Sequence, residues 1–311
     1  MASSQQPRIA NAPCSWGVIG GLGPAIEGTR MLDELVAAGY RGTELGDLGF
    51  LPTDPERLRA ELDARELHLL GGFTAVDLRR PGVVDQAREG VLRVARLMAD
   101  ANRSARSPLL ILADDSGRDP MRVAYAGRIR ADQALPPEDL RRFARHVEDL
   151  ARIVRDETGL ATAFHPHAAG WIETPDEVEH LLERTDPDLV GLVFDTAHHV
   201  HGCGVDDDGG LAAEGIARFW ERIRTVHLKD CSAALAARAR AEAWPYPTAV
   251  ARGLYCELGQ GSVDFRAVLA ALAGRGYDDW LTVEQDVFPG MGTPLESARR
   301  NRAYLRSIGA G

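Results

Sequence analysis

Carboxylate and imidazole side chains recur along this chain just after short apolar runs. Glu44 and Asp47 close the run that begins at Gly42, Asp77 comes after Phe73, and Asp114 and Asp115 follow Leu109–Leu112. His165 and His167 end the next run, with Glu173 a few residues on. Asp195 and His198 follow Leu189–Phe194, His227, Lys229 and Asp230 follow Thr225, and Glu284, Gln285 and Asp286 end the last run. Carboxylates brought together in a confined space repel one another, and a divalent cation supplies the missing counter-charge. The donors are oxygen and imidazole without thiolate, which suits Mn2+, Mg2+, Co2+ or Zn2+ rather than Cu(I) or an iron–sulfur cluster. A hard cation of this kind acidifies the carbon beside a carbonyl, and a neutral imidazole or carboxylate can take the proton. An enediolate then forms, stabilised by the cation and by Lys229. From there water leaves, or the proton returns to another carbon or face.

The elements that must carry these residues alternate. Strands are expected at Ile9–Pro13, Gly42–Gly46, Leu67–Phe73, Pro108–Ala113, Ala161–His165, Leu189–Phe194, Thr225–Leu228 and Trp280–Glu284. Between them apolar residues recur at helical spacing. Those helices are Met31–Ala38, Pro55–Ala64, Val83–Asn102, Pro137–Thr158, Pro175–Arg184, Gly215–Arg222, Phe265–Arg275 and Pro294–Ile308. Asp54 and Thr174 are candidate N-caps. Eight alternations with continuously apolar strands predict a closed (β/α)8 TIM barrel in one domain over 1–311, its core at about 8–308. Active residues of such barrels sit at the C-terminal strand ends, where the carboxylates and imidazoles above are found. An insertion at about 231–262 separates the seventh strand from its helix, and Ala233–Ala243 within it is read as helical. The glycines at Gly17–Gly23 lack dinucleotide-binding spacing.

Composition narrows the function. The 311 residues carry a net charge of −10, with 45% hydrophobic and 26% charged residues, an ordinary globular balance. An acidic surface argues against nucleic-acid binding. No apolar stretch is long enough to span a membrane, and Met1–Pro7 has no apolar signal core, so a cytoplasmic protein is expected. The four cysteines form no CxxC pair and read as reduced thiols. Lys229 is the only lysine. Its place between His227 and Asp230 favours a role in chemistry over a surface ion pair. Trp16, directly after a strand, reads as a wall for stacking a sugar ring. Glu44 fits either catalysis or an ion pair within the barrel, Cys14 reads as small and buried, and Asp206–Asp208 as an exposed acidic loop. Trp244, Tyr246 and Tyr255 are placed to cover this chain's own mouth or that of a second copy in a homo-oligomer.

A resemblance sharpens these expectations. The segments Ala12-Pro-Cys-Ser-Trp16, Ala38-Gly-Tyr-Arg-Gly-Thr-Glu-Leu-Gly46, Phe164-His-Pro-His167 with Ile172-Glu-Thr174, and Phe194-Asp-Thr-Ala-His198 carry it, together with Val226-His-Leu-Lys-Asp230, Gly259-Gln-Gly-Ser-Val-Asp-Phe265 and Val283-Glu-Gln-Asp286. The chain resembles the xylose isomerase-like barrels, or sugar phosphate isomerase/epimerases, and within them the inosose dehydratase branch. The resemblance implies a divalent metal, Mn2+ first, held by Asp195, His227 and Glu284. The family's fourth ligand, a Glu within strand five, is replaced here by Ala163-Phe164-His165. Glu173 is assigned instead, with His165 or His167 as substitutes. Glu44, His167, His198 and Lys229 are assigned to catalysis, and Trp16, Phe73, His165 and Asp230 to substrate binding. The implied activity is a lyase on a keto-cyclitol or keto-sugar such as an inosose. The alternatives are a sugar isomerase or epimerase and a non-catalytic sugar-binding barrel.

Overall fold

The computed structural model describes residues 7–17, 26–206, 209–287 and 290–310. Asp207 and Asp208 of the acidic loop, and most of the Gly17–Gly23 cluster, lie outside the described residues. All eight expected strands are found: β1 (Arg8–Asn11), β2 (Gly42–Thr43), a third strand split at Leu70 into β3 (His68–Leu69) and β4 (Gly71–Val76), β5 (Leu109–Asp114), β6 (Thr162–His165), β7 (Val190–Asp195), β8 (Ile223–Leu228), and β11 (Trp280–Val283) at the end of the series. Seven of these segments form one parallel sheet in the order β1-β11-β8-β7-β6-β5-β4, while β2 pairs with β3. Hydrogen bonds from Leu70 N to Thr43 O (2.9 Å), from Leu45 N to Gly71 O (2.8 Å) and from Arg41 N to Ile9 O (3.4 Å) set β2 between β1 and the split strand. The sheet thereby curls into a TIM barrel of a single domain.

Period-2 alternation decides what each strand offers to the inside. Leu110, Leu112, Phe164, Leu192 and Phe194 join the large core shared with the helices, whereas Leu109, Ile111, Ala163 and Val193 form a separate cluster with Phe73 against it. The second set fills the barrel. Two residues beyond Ala163 and Val193, and therefore on the same face, come His165 and Asp195. Asp195 is in register with His227, and His227 with Thr282.

The helices lie where the apolar spacing puts them: α1 (Gly28–Ala37), α2 (Pro55–Asp63), α3 (Val83–Ala101), α5 (Pro137–Thr158), α6 (Pro175–Leu182), α8 (Leu211–Phe219), α11 (Phe265–Ala273) and α12 (Pro294–Ser307). Asp54 and Thr174 cap α2 and α6, with Glu177 completing a capping box at Thr174. Three short helices lie outside the expected set: α4 (Pro120–Tyr125), capped by Asp119, α7 (Thr196–Gly202), capped by Asp195 at the very end of β7, and α10 (Tyr246–Ala251). The long connection after β8 is itself structured. An antiparallel pair, β9 (Asp230–Cys231) and β10 (Tyr255–Cys256), brackets α9 (Ala233–Ala241) and α10 (Tyr246–Ala251). No helix among the described residues is long and apolar enough to cross a membrane.

Phe143 on α5 shows what holds a helix to the barrel. Its ring is fully buried and meets Phe164 of β6 edge-on at 5.9 Å. Phe143→Ala is expected to cost about 3–5 kcal/mol, by lost transfer energy and the cavity left behind. Urea unfolding midpoints check this, and a change under 1 kcal/mol would mean that the α5–β6 packing is not formed as described.

Candidate active site

Four strand ends converge at the C-terminal mouth. His165, Asp195, His227 and Glu284 each offer one ligand atom, all within 4.8 Å of one another, and the first three are buried. Three of these residues hold a buried polar atom with no hydrogen-bond partner: His165 Nδ1, Asp195 Oδ2 and His227 Nδ1. Buried polar atoms are nearly always paired, so unpaired lone pairs gathered at one point fit a cation. Each residue's other polar contacts hold it in place. Asp195 Oδ1 accepts from His198 N (2.7 Å), leaving Oδ2. His227 Nε2–H donates to Glu44 Oε1 (2.9 Å), which turns Nδ1 toward Glu284 Oε1, 3.1 Å away. A partner on the outer nitrogen of a metal-binding imidazole fixes its tautomer and orientation. Glu44 therefore sits behind His227. Its assignment to direct catalysis is corrected to an action through that ring.

The electrostatics follow from crowding. Burial opposes a charge on His227, but Glu44 and Glu284 outweigh it and raise its proton affinity well above the imidazole range. An M2+ ion would compete with that proton for Nδ1. Burial likewise opposes a charge on Glu284, which His227 and Lys229 outweigh, so its carboxyl is held well below the usual range. Burial pushes Asp195 up to about 6, and Lys229 offsets part of that. His165, buried and beside His227, is pushed down to about 3, so its ring is neutral. The lone lysine closes the group. Lys229 Nζ lies 3.2 Å from Asp286 Oδ2, 3.7 Å from Glu284 Oε2 and 4.6 Å from the Tyr255 ring centroid. Burial again opposes its charge, but Asp286, Glu284 and Asp195 hold it as a cation.

Around this centre lie rings. His167 stands 3.9 Å from His198 between centroids, Phe73 meets His165 edge-on at 6.3 Å, and Tyr246 meets His167 at 6.1 Å. Burial pushes both His167 and His198 toward the neutral form. The long connection thus covers its own chain's mouth with Tyr246 and Tyr255. Sequence reasoning left that choice open and did not single out these tyrosines as site residues. The signal available was their position flanking α10 in a segment that must return to the rim.

Other assignments are corrected by the geometry. Glu173 is not among the converging side chains. Its carboxylate accepts from Gly127 N (2.6 Å) and Ala169 N (2.7 Å), tying two loops together, while His165 takes the position beside the other ligands. Asp230 is fully buried and both its oxygens accept from backbone amides, those of Cys231, Gly259, Gly261 and Val263, so its assignment to substrate binding gives way to bracing of these turns. Trp16 is fully buried and donates Nε1–H to Glu34 Oε2 (2.9 Å), so its ring is core and offers no stacking face.

A parallel barrel whose C-terminal mouth gathers carboxylates and imidazoles around a cation-sized centre is a recognisable class of α/β barrel. The chain belongs to the Xylose isomerase-like TIM barrel family, matched over residues 32–308. It is 31% identical over 304 residues to inosose dehydratase of Geobacillus kaustophilus (strain HTA426), covering 96% of this chain and 93% of that one. It is 33% identical over 307 residues to the rhizopine catabolism protein MocC of Rhizobium meliloti, covering 97% and 89%. Among solved structures, the probable 3-DHS dehydratase AsbF from Bacillus anthracis superposes with a TM-score of 0.69 at 13% identity, covering 96% of this chain and 98% of that one. The IOLI protein with a bound zinc atom superposes with 0.69 at 14% identity, covering 97% of each.

Glu173 supplies a test of the loop geometry. Burial pushes its carboxyl from 4.5 up to about 7, against the pull of Arg122 and the two amides. A carboxyl whose folded pKa is raised stabilises the fold fully below its unfolded pKa and loses that contribution as pH rises through the folded value. Relative to Glu173→Gln, the wild type should therefore lose up to about 3 kcal/mol between pH 4.5 and 7, then run parallel above it. Urea midpoints of both proteins at pH 5 and pH 8 measure this; a pH-independent difference would show an unperturbed carboxyl.

Proposed function

We propose that this chain is a sugar-modifying enzyme, and specifically a divalent-metal-dependent dehydratase of a keto-cyclitol such as an inosose. The observation that carries the reading is the gathering of unpaired His165 Nδ1, Asp195 Oδ2 and His227 Nδ1 beside Glu284 at the barrel mouth. The relatives named inosose dehydratase, aligned over most of both chains, support the choice of substrate. The zinc in the IOLI structure is in keeping with a metal, and the oxygen and imidazole donors suit Mn2+ first.

His165, Asp195, His227 and Glu284 would hold the ion, Glu44 orienting His227. When bound, the ion would polarise a ketone oxygen and make the neighbouring C–H acidic. This chain's own groups do the rest. Lys229, kept cationic by Asp286 and Glu284, donates to an oxygen that gains charge, and its fixed proton rules it out as a base. A buried cation set where charge develops stabilises the transition state without reorganising. The two neutral imidazoles of His167 and His198 are the groups free to handle protons. Phe73, Tyr246 and Tyr255 line the mouth and reduce its water.

Purified protein should hold about one divalent ion per chain, as a closed ligand set requires. Chelation should abolish turnover of inososes, and Mn2+ should restore it. An enone product would appear as new ultraviolet absorbance, whereas deuterium uptake from D2O without absorbance would mean epimerisation. His167→Ala should lower kcat by about 10²–10⁴, the usual share of general acid–base catalysis, with metal content unchanged. Loss of the ion from that variant would show that His167 is a ligand.

A further inference from the structure

His167 and His198 are chemically alike and adjacent, 3.9 Å apart between centroids, yet the backbone of Ala168 treats them oppositely. His167 Nδ1 lies 2.8 Å from the carbonyl oxygen of Ala168. A carbonyl only accepts, so Nδ1 carries a proton, and in the singly protonated ring Nε2 keeps its lone pair. His198 Nδ1 lies 3.2 Å from the amide nitrogen of the same Ala168. An amide only donates, so Nδ1 accepts and Nε2 carries the proton. The Tyr255 hydroxyl stands 3.1 Å from the same nitrogen and receives a hydrogen bond from Tyr246 (3.3 Å), which leaves its own proton to share the Nδ1 lone pair with the Ala168 amide. The His198 Nε2–H so defined is buried and has no partner. His167 is half-buried at the mouth.

We infer that residue 168 writes opposite tautomers on this pair, making His167 Nε2 the base and His198 Nε2–H a hydrogen-bond donor to substrate oxygen, with Tyr255 a positioning residue for His198. The inference rests on the dehydratase reading for its substrate. His167 Nε2 takes the proton from the carbon beside the ketone, and the C–H pair passes into the ketone to give the enediolate. As that pair returns to form C=C, the C–O bond to the β-hydroxyl breaks. His167 hands its proton to the departing oxygen, which leaves as water. His198 keeps its proton throughout and donates to the oxygen carrying the charge. Enzyme and atoms balance, with one ketone going to one enone and one water.

The tautomers can be read without turnover. Protein labelled with 15N-histidine, with Zn2+ added, gives long-range 1H–15N patterns that distinguish Nδ1–H from Nε2–H rings, and His167→Gln and His198→Gln assign the two signals. Nδ1–H for His167 with Nε2–H for His198 is the expected result; the same tautomer on both rings overturns the inference, whatever the substrate proves to be. Kinetics test the roles. His167→Gln should abolish deuterium exchange beside the ketone with KM changed less than about threefold, since uniform binding is retained. His198→Gln keeps an N–H near the Nε2 position and should lose about tenfold in kcat, against about a hundredfold for His198→Ala. Tyr255→Phe should lose about tenfold in kcat at unchanged KM, as expected for one hydrogen bond, but less than twofold in the His198→Ala background. Exchange surviving in His167→Gln, or equal effects of Tyr255→Phe in both backgrounds, would sink it. If wild-type protein turns over no inosose while the tautomers are opposite, the substrate reading fails and the tautomer assignment stands.

Discussion

An excess of negative charge in a confined, poorly hydrated space governs this molecule. Glu44, Asp195, Glu284 and Asp286 meet at the mouth, and His227 and Lys229 are the cationic groups interleaved with them. Four carboxylates against two cations leave a formal deficit of two positive charges. Proton uptake would relieve part of it: burial pushes Asp195 up to about 6, with Glu284 adding to the rise and Lys229 opposing it. A divalent ion would relieve part of it too, since in taking Nδ1 of His227 it would displace that ring's proton and add one net positive charge. The barrel makes this crowding tolerable. Each carboxylate stands at a rigid strand end or just beyond it, and the helices around the sheet hold those ends together against repulsion.

The second constraint is that the loop after β6 hold its shape, because it carries His167 and the Ala168 backbone that meets both imidazoles. A buried ion pair fixes it. Arg122, fully buried, meets Glu177 through two contacts of 2.8 Å and gives its Nε–H to Gly170 O (2.7 Å). Glu177 also accepts from the backbone of Glu173 and Thr174 (3.0 Å each). Such a pair contributes little net stability after desolvation. Its contribution here is position: it steadies the loop whose Ala168 backbone meets both imidazoles. Glu173 belongs to the same bracing, joining Gly127 to Ala169.

Much of this was legible in the sequence. Strands, helices and barrel closure follow from apolar runs and caps that local physics reads directly. Asp195, His227 and Glu284 stand out because strand ends of a barrel share one rim. Glu173 was misplaced because its type suits a ligand, while its acceptors, the amides of 127 and 169, are set by tertiary contact. His165 takes the ligand position because the period-2 face that buries Ala163 continues into it. Asp230 and Trp16 were misassigned for the converse reason. Position after a strand says that a side chain is near the mouth, not which way it turns, and the turns at 259–263 claim Asp230 while Glu34 claims the Trp16 indole. That Tyr246 and Tyr255 could cover a mouth was legible, but whose mouth was not, since their approach to this chain's own site depends on the β9–β10 pairing that folds the connection back.

Placement of the proton-handling groups bears on the choice of reaction. Inverting a centre beside a ketone requires a base on one face and an acid on the other. Here the two neutral imidazoles lie side by side, 3.9 Å apart, held by the backbone of one residue, Ala168. A proton taken by His167 is then close to an oxygen on the same face and far from the opposite side of the ring. Lys229, the remaining donor in reach, is anchored between Asp286 and Glu284 over the Tyr255 face, where it stabilises charge rather than delivering protons to carbon. Under the dehydratase proposal, one-sided proton handling with a fixed cation favours loss of a hydroxyl from the face that lost the hydrogen, so that syn elimination is the stereochemical course expected.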